Sequence, residues 1–326
     1  MVINSILDTV GNTPLLQLSV KDLDHLDVKV KLESFNPTGS VKDRAASHIL
    51  KHLLKSGKIN QRTTIIESSS GNFGVALSAF CKSLKLRFVC VVDPYISVLN
   101  ESLMRSFGAE IVKVTNADSK GGYLLSRIAE VKRLCSVIEN SCWINQYENI
   151  ENSNGYKSLG YEICQAVDKL DYLFLGVGSG GTVAGVSKVV KNKFPHSKII
   201  AVDAVGSVIF GAEPKKRSIP GIGSSMVPKI LKEALIDEVI WIDETETIHK
   251  CHELLTHNFL MMGGSSGSVY AAIKKYFLNH RLALPAKVVA IFPDTGSKYL
   301  TTIYNEKWVK AYLQKKQENS LSTFSI

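Results

Sequence analysis

Short runs of β-branched and aromatic residues alternate along the chain with stretches whose apolar positions recur every three or four residues. The runs are TTIIES (63–68), RFVCVVD (87–93), EIVKV (110–114), DYLFLGV (171–177), KIIAVDA (198–204), EVIWID (238–243) and KVVAIFPD (287–294). Each is apolar nearly throughout, which predicts strands buried on both faces, as parallel sheets covered by helices require. Between the runs the period lengthens. Val41, Ala45, Ile49 and Leu53 predict a helix from a Ser40 cap to a Gly57 stop. The fold class is therefore α/β, with two open, twisted, mostly parallel sheets flanked by helices. Three runs precede Trp143 and four follow it. The polar stretch 148–154 between the groups reads as a hinge, with a cleft between the sheets. Ligands in such folds sit where strands end and helices begin. The polar tail, 317–326, is expected to fray.

Composition narrows the function classes. A chain of 326 residues with 45% hydrophobic content exceeds one ordinary domain and supplies a substantial core. No run approaches the roughly eighteen apolar residues of a membrane span. The stretch 1–20 lacks the charged start and apolar centre of a signal peptide, so a cytoplasmic location is expected. Six scattered cysteines, with no C-x-x-C pair and no histidine at finger spacing, predict reduced thiols, no disulfide frame and no metal site. The excess of 39 Lys+Arg over 30 Asp+Glu gives a charge of +9, which suits nucleic acid or an anionic small molecule. The densest basic clusters, 215–217 and 310–316, have no interleaved aromatic platform, so no nucleic-acid partner is expected.

Candidate chemistry lies in the loops. In ESFNPTGSVKDRAA (33–46), the turn residues Asn36, Pro37, Thr38 and Gly39 deliver Lys42 to the first turn of a helix. The helix dipole and Arg44 disfavour an ammonium there, and Asp43 partly offsets them. The position suits a neutral nucleophilic amine, or simply a solvated surface lysine. ESSSGNFG (67–74) exposes backbone N–H groups at a helix start, an anion cradle or a tight turn. In GVGSGGTVAG (176–185), Gly176, Gly178 and Gly181 fit G-x-G-x-x-G, with Asp203 closing the next strand. That is the fingerprint of an NAD-dependent dehydrogenase. The same loop equally suits a monophosphate held by the N–H groups of residues 179–182 and the Thr182 hydroxyl. GGSSGS (263–268) offers neutral hydroxyls for an unprotonated ring nitrogen, or a helix cap. Taken together, an amine, two anion cradles and a hydroxyl are the parts needed to hold pyridoxal phosphate with an amino acid attached.

NPTGSVKDR, SSSGNFG, GSGGT and GGSSG, in this order and at these separations, resemble the fold type II pyridoxal-phosphate enzymes, tryptophan synthase β-like, that include cysteine synthase and cystathionine β-synthase. The resemblance spans about 8–300. It implies a smaller mobile substrate-binding domain, 36–150, and a larger phosphate-binding domain, 1–35 with 151–326, in a homodimer whose cofactor lies in the cleft. It implies that Lys42 binds the cofactor aldehyde, Asn72 meets the phenolic oxygen, and Gly178, Ser179, Gly180, Gly181 and Thr182 hold the phosphate. Ser265 would face the ring nitrogen. Ser69, Ser70 and Asn72 would grip the substrate carboxylate, helped by Gln146. The implied reaction is β-replacement through an aminoacrylate.

Longer stretches, among them VVDPYISVLNESLMRSFGA, WINQYEN, VDAVGSVIFG and IPGIGSSMVPKIL, are similar to a narrower branch. Its members join the aminocarboxyethyl group of O-phospho-L-serine to L-glutamate, supplying 2,3-diaminopropionate for siderophore biosynthesis. On that reading Arg217 is the candidate for the donor phosphate, and Arg127 and Tyr147 for glutamate. GVGSGGT, however, has the plain sulfhydrylase form, which keeps cysteine synthase as the alternative.

Overall fold

The computed structural model describes residues 2–117, 122–279 and 285–322, with side chains to 318. In chain order, β1 (Leu15–Leu18) and β2 (Asp27–Leu32) lead into α1 (Lys42–Lys55). Then come β3 (Thr64–Ser68), α2 (Asn72–Ser83), β4 (Arg87–Val92), α3 (Val98–Ser106), β5 (Glu110–Lys113), α4 (Leu124–Val137) and β6 (Ser141–Trp143). They are followed by α5 (Ile150–Asn154), α6 (Lys157–Ala166), β7 (Tyr172–Gly176), α7 (Gly181–Lys193) and β8 (Lys198–Ala204). The chain continues through β9 (Glu238–Ile242), α8 (Glu244–Asn258), α9 (Gly264–Asn279), β10 (Lys287–Phe292) and α10 (Glu306–Ser322).

These elements build two sheets, ordered β5-β4-β3-β6 and β1-β2-β10-β7-β8-β9. Every pairing is parallel except that of β1 with β2. All the strands read from apolar runs are present. Helices cover both faces, as continuous apolar strands demand. Ile65 and Cys90 pack toward Ile49 and Phe80 of α1 and α2, while Ile66 and Val91 pack toward Val131 and Leu134 of α4. In the larger sheet Leu173 and Ile199 face α6 and α7, and Phe174 and Val202 face α9. Each such aliphatic or aromatic side chain contributes about 1.5–3 kcal/mol on burial.

The differences from the sequence reading have local causes. β2 escapes an apolar-run criterion because DVKVKL alternates: Val28 and Val30 are fully buried, whereas Lys29 pairs with Asp27 at 2.6 Å. Its Lys31 is nevertheless buried, because Glu162 meets the ammonium at 2.7 Å. Within the stretch 148–154, residues 150–154 form α5, whose buried Asn152 donates to the Gln146 carbonyl at 2.5 Å. GGSSGS is mostly the first turn of α9 rather than a loop between helices. The tail residues 317–322 belong to α10, and 323–326 lie outside the described residues. Val41, not Ser40, occupies the cap position of α1, although the Ser40 hydroxyl does accept the Lys42 N–H at 3.3 Å. No described helix is long and apolar enough to cross a membrane.

Candidate active site

The residues expected to meet the cofactor lie at helix starts, drawn from both sheets. Lys42 opens α1, Asn72 opens α2, Gly181 opens α7, and Ser265 is the second residue of α9. A helix start carries unpaired N–H groups and a partial positive charge, so these termini favour an anionic guest. Asp294, just past β10, joins them. It accepts from Asn72 Nδ2 at 2.7 Å and from the Tyr299 hydroxyl at 2.8 Å, and its carbonyl accepts the Gly263 N–H at 3.0 Å. Beside it, the Val41 N–H donates to the Pro293 carbonyl at 2.7 Å, which pins the lysine turn to the end of β10. Two glycines allow close approach of neighbouring groups. A Cβ on Gly181 would stand 2.7 Å from Asn152 Oδ1. One on Gly221, already at φ +99°, would fall 3.4 Å from the Tyr299 hydroxyl and 3.8 Å from Ser265 Oγ.

Around Lys42 the electrostatics differ from the expectation. Arg44 is no free neighbouring cation, since Nε meets Glu33 at 2.6 Å and Nη1 meets Glu162 at 2.6 Å. Burial opposes ionisation of Glu162, yet bonds from Arg44 and Lys31 hold its carboxyl down at about 2. Asp43 accepts the Thr38 N–H at 2.6 Å and the Thr38 hydroxyl, and burial pushes its carboxyl up to about 6. Lys42 itself is half-buried, with Nζ 5.7 Å from the centroid of the Tyr156 ring.

In the second cradle the Ser69 hydroxyl accepts the Gly74 N–H at 3.0 Å, bracing the start of α2. The Ser70 hydroxyl donates to Asp93 at 2.8 Å and accepts from Arg127 at 2.9 Å. The Ser70 hydroxyl is therefore engaged as both donor and acceptor, whereas Ser69 is engaged as an acceptor alone. Gln146 is buried, donating from Nε2 to the Ser68 carbonyl at 3.2 Å. Glu67 lies beneath the loop; burial raises its carboxyl to about 7, although the N–H groups of Ser68 and Gln146 oppose the rise.

Arg127, Tyr147 and Arg217 come from separate parts of the chain and share one electrostatic neighbourhood. Burial pushes the Tyr147 hydroxyl up, and both guanidinium groups oppose that rise. Of the 215–217 cluster only Arg217 turns inward, donating to the Ile222 carbonyl at 3.1 Å and Ser225 Oγ at 3.2 Å. The Nε atoms of Arg127 and Arg217 are buried without a partner among the described residues. Asp203 is wholly buried and accepts its neighbour's N–H at 2.8 Å, so it cannot offer its carboxylate to a ribose.

Residues 6–294 match the family model described as "Pyridoxal-phosphate dependent enzyme". The chain belongs to this family. The dehydrogenase reading of the glycine loop is thereby corrected, in keeping with the buried Asp203. Over 312 residues, 95% of this chain and 92% of the relative, it is 43% identical to N-(2-amino-2-carboxyethyl)-L-glutamate synthase of Ralstonia nicotianae. The O-acetylserine-dependent cystathionine β-synthase of Helicobacter pylori superposes with a TM-score of 0.85 at 33% identity, covering 93% of this chain and 98% of that one. An O-ureido-L-serine synthase superposes at 0.85 with 29% identity, covering 94% and 96%. This member of the pyridoxal-phosphate family is a β-replacement enzyme.

The residues present fit its cofactor. The helix starts suit an anionic group, and the Cβ-free surface of Gly221 leaves a cradle beside Ser265. Sequence reasoning missed Asp294, Lys298, Tyr299 and Asn152. The first three lie in PDTGSKYL (293–300), which follows a parallel strand, the position where this class of fold places ligands.

Proposed function

We propose that the enzyme replaces the β-phosphate of O-phospho-L-serine with the amine of L-glutamate, giving N-(2-amino-2-carboxyethyl)-L-glutamate and phosphate for 2,3-diaminopropionate and siderophore biosynthesis. The observation that carries this reading is the pair of half-buried guanidinium groups, Arg127 and Arg217, whose buried Nε atoms have no partner among the described residues. Sulfide has no carboxylate and makes no use of two permanent cations. A phosphate with nearly two negative charges and a dicarboxylic amino acid use both. The Ralstonia nicotianae relative, an N-(2-amino-2-carboxyethyl)-L-glutamate synthase, supports glutamate as the acceptor.

Pyridoxal phosphate, when bound, supplies the electron sink that renders the donor α-proton acidic. Lys42 carries the cofactor at rest, and its Nζ then takes that proton and later returns it to Cα. The N–H groups of residues 178–182 hold the cofactor phosphate, Asn72 meets its phenolic oxygen, and Ser265 faces the ring nitrogen. Ser69, Ser70, Asn72 and Gln146 grip the α-carboxylate, the Ser69 hydroxyl by donation and Ser70 through its main-chain N–H in place of its engaged hydroxyl. Arg217 binds the leaving phosphate, while Arg127 and Tyr147 orient glutamate for attack on the β-carbon. One C–O bond breaks, one C–N bond forms, and the attacking amine gives up a proton. The part of the chain at 36–150, which carries the four-stranded sheet, closes over the substrates. The enzyme acts as a homodimer in the cytoplasm, where its six unpaired thiols stay reduced.

Incubation with O-phosphoserine or O-acetylserine, paired with glutamate or sulfide, tests the substrate assignment. The glutamate adduct of phosphoserine is the expected dominant mass. Cysteine as the dominant product overturns the assignment in favour of cysteine synthase, the reading that the plain GVGSGGT loop supports.

A further inference from the structure

Beside Asn72 stands a cation that has no part in the reaction as drawn above. Lys298, six residues past β10, donates from Nζ to Asn72 Oδ1 at 2.7 Å and to the Thr38 carbonyl oxygen at 2.8 Å. Both acceptors are neutral. The carboxylates that answer its charge stand one group further away: Asp294 takes Asn72 Nδ2 at 2.7 Å, and Asp43 takes the Thr38 N–H at 2.6 Å. Burial lowers the Lys298 ammonium and raises Asp294 and Asp43, so the enclosure resists charge of either sign. An ammonium whose direct partners among the described residues are all neutral is under-compensated, and an anion arriving at Asn72 completes it.

The same contacts orient the amide. Its oxygen faces a donor and its nitrogen faces an acceptor; turned over, it would set donor against donor and acceptor against acceptor. The remaining Nδ2–H is thus aimed by groups from the opposite side of the cleft. An ammonium on the amide oxygen draws electron density from the nitrogen and strengthens that N–H as a donor.

We propose that Lys298 is a positioning residue, which acts through the Asn72 amide to aim and polarise the N–H that meets the phenolic oxygen of pyridoxal phosphate and so favours the ionised phenol. This deepens the reading above and rests on its assignment of Asn72. Lys298 need not touch the reacting atoms.

The test compares Lys298→Met, Lys298→Gln, Lys298→Arg and Asn72→Ala with the parent, by titration of the apo chain with pyridoxal phosphate and by the visible spectrum of each holoenzyme at one pH. Thermal unfolding of each apo chain identifies variants that retain the fold; where Lys298→Met loses it, Lys298→Gln stands in. Lys298→Met is expected to bind the cofactor about tenfold more weakly, the size of one lost charged hydrogen bond. Its ratio of ionised to un-ionised phenol bands should fall by about the same factor. Arginine should retain most of the ionised band and glutamine should not, although glutamine can donate the same hydrogen bond. Parental affinity and spectrum in folded Lys298→Met, with both altered in Asn72→Ala, overturn the inference and leave the Asn72 assignment standing. Parental values in Asn72→Ala as well overturn that assignment too.

Discussion

Arg127 donates to the Ser70 hydroxyl at 2.9 Å, which ties α4 to the loop that leads into α2. Asp93 closes the triangle, 3.1 Å from the guanidinium and 2.8 Å from Ser70 Oγ. A permanent cation is thus held against the substrate loop by contacts that leave its buried Nε without a partner among the described residues.

Loss of that cation should fall on the nucleophile. Arg127→Ala is expected to lower kcat/KM for glutamate about 10- to 100-fold, the worth of one charged hydrogen bond. Phosphate release from phosphoserine alone should fall far less, because Arg127 reaches the donor only through the Ser70 hydroxyl. Lysine should recover little, because one ammonium lacks the fork that serves Asp93, Ser70 and a carboxylate together. Steady-state rates with glutamate, set against a phosphate burst without it, check the split. Equal losses in both would mean that Arg127 only braces the loop.

Glu67 should make stability fall with rising pH. Its unfolded carboxyl titrates near 4.5 and its buried native one at about 7. The folded chain keeps a proton that the unfolded chain releases, so the contribution is complete below the unfolded value and is lost as pH rises through the native one. Glu67→Gln removes this dependence. In urea unfolding, the variant should gain on the parent between about pH 5 and about pH 8. A difference that does not vary with pH contradicts the burial of an ionisable carboxyl at this position.

Arg44 stands between two carboxylates, one of them, Glu33, fully buried. Arg44→Met strands that charge and should cost about 3–5 kcal/mol in urea unfolding. Adding Glu33→Gln should return part of the loss. A double variant no more stable than Arg44→Met would mean that packing, not the stranded charge, sets the cost.

Much of this was legible in the sequence for a definite reason. β3, β4, β7, β8 and β10 are buried on both faces and so spell out apolar runs, and glycine-rich turns mark the helix starts that form the cradles. β2 was hidden because alternating lysines mask a buried strand, one of them answered by Glu162 from a distant helix. α5 was hidden because its polar side chains meet other protein groups: Asn152 bonds the Gln146 carbonyl and Glu151 meets the His48 ring. The roles of Asp294 and Lys298 were not legible, since each depends on a partner more than two hundred residues away in the chain. The unexpected pairing of Arg44 has the same origin, as Glu162 lies 118 residues on.

The attachment lysine can be read directly. Borohydride reduction of the holoenzyme, followed by digestion and mass analysis, should place a pyridoxyl group on the peptide that contains Lys42, and Lys42→Ala should abolish the label. A pyridoxyl group on Lys298 instead, or on no lysine at all, would contradict the assignment on which the site is built.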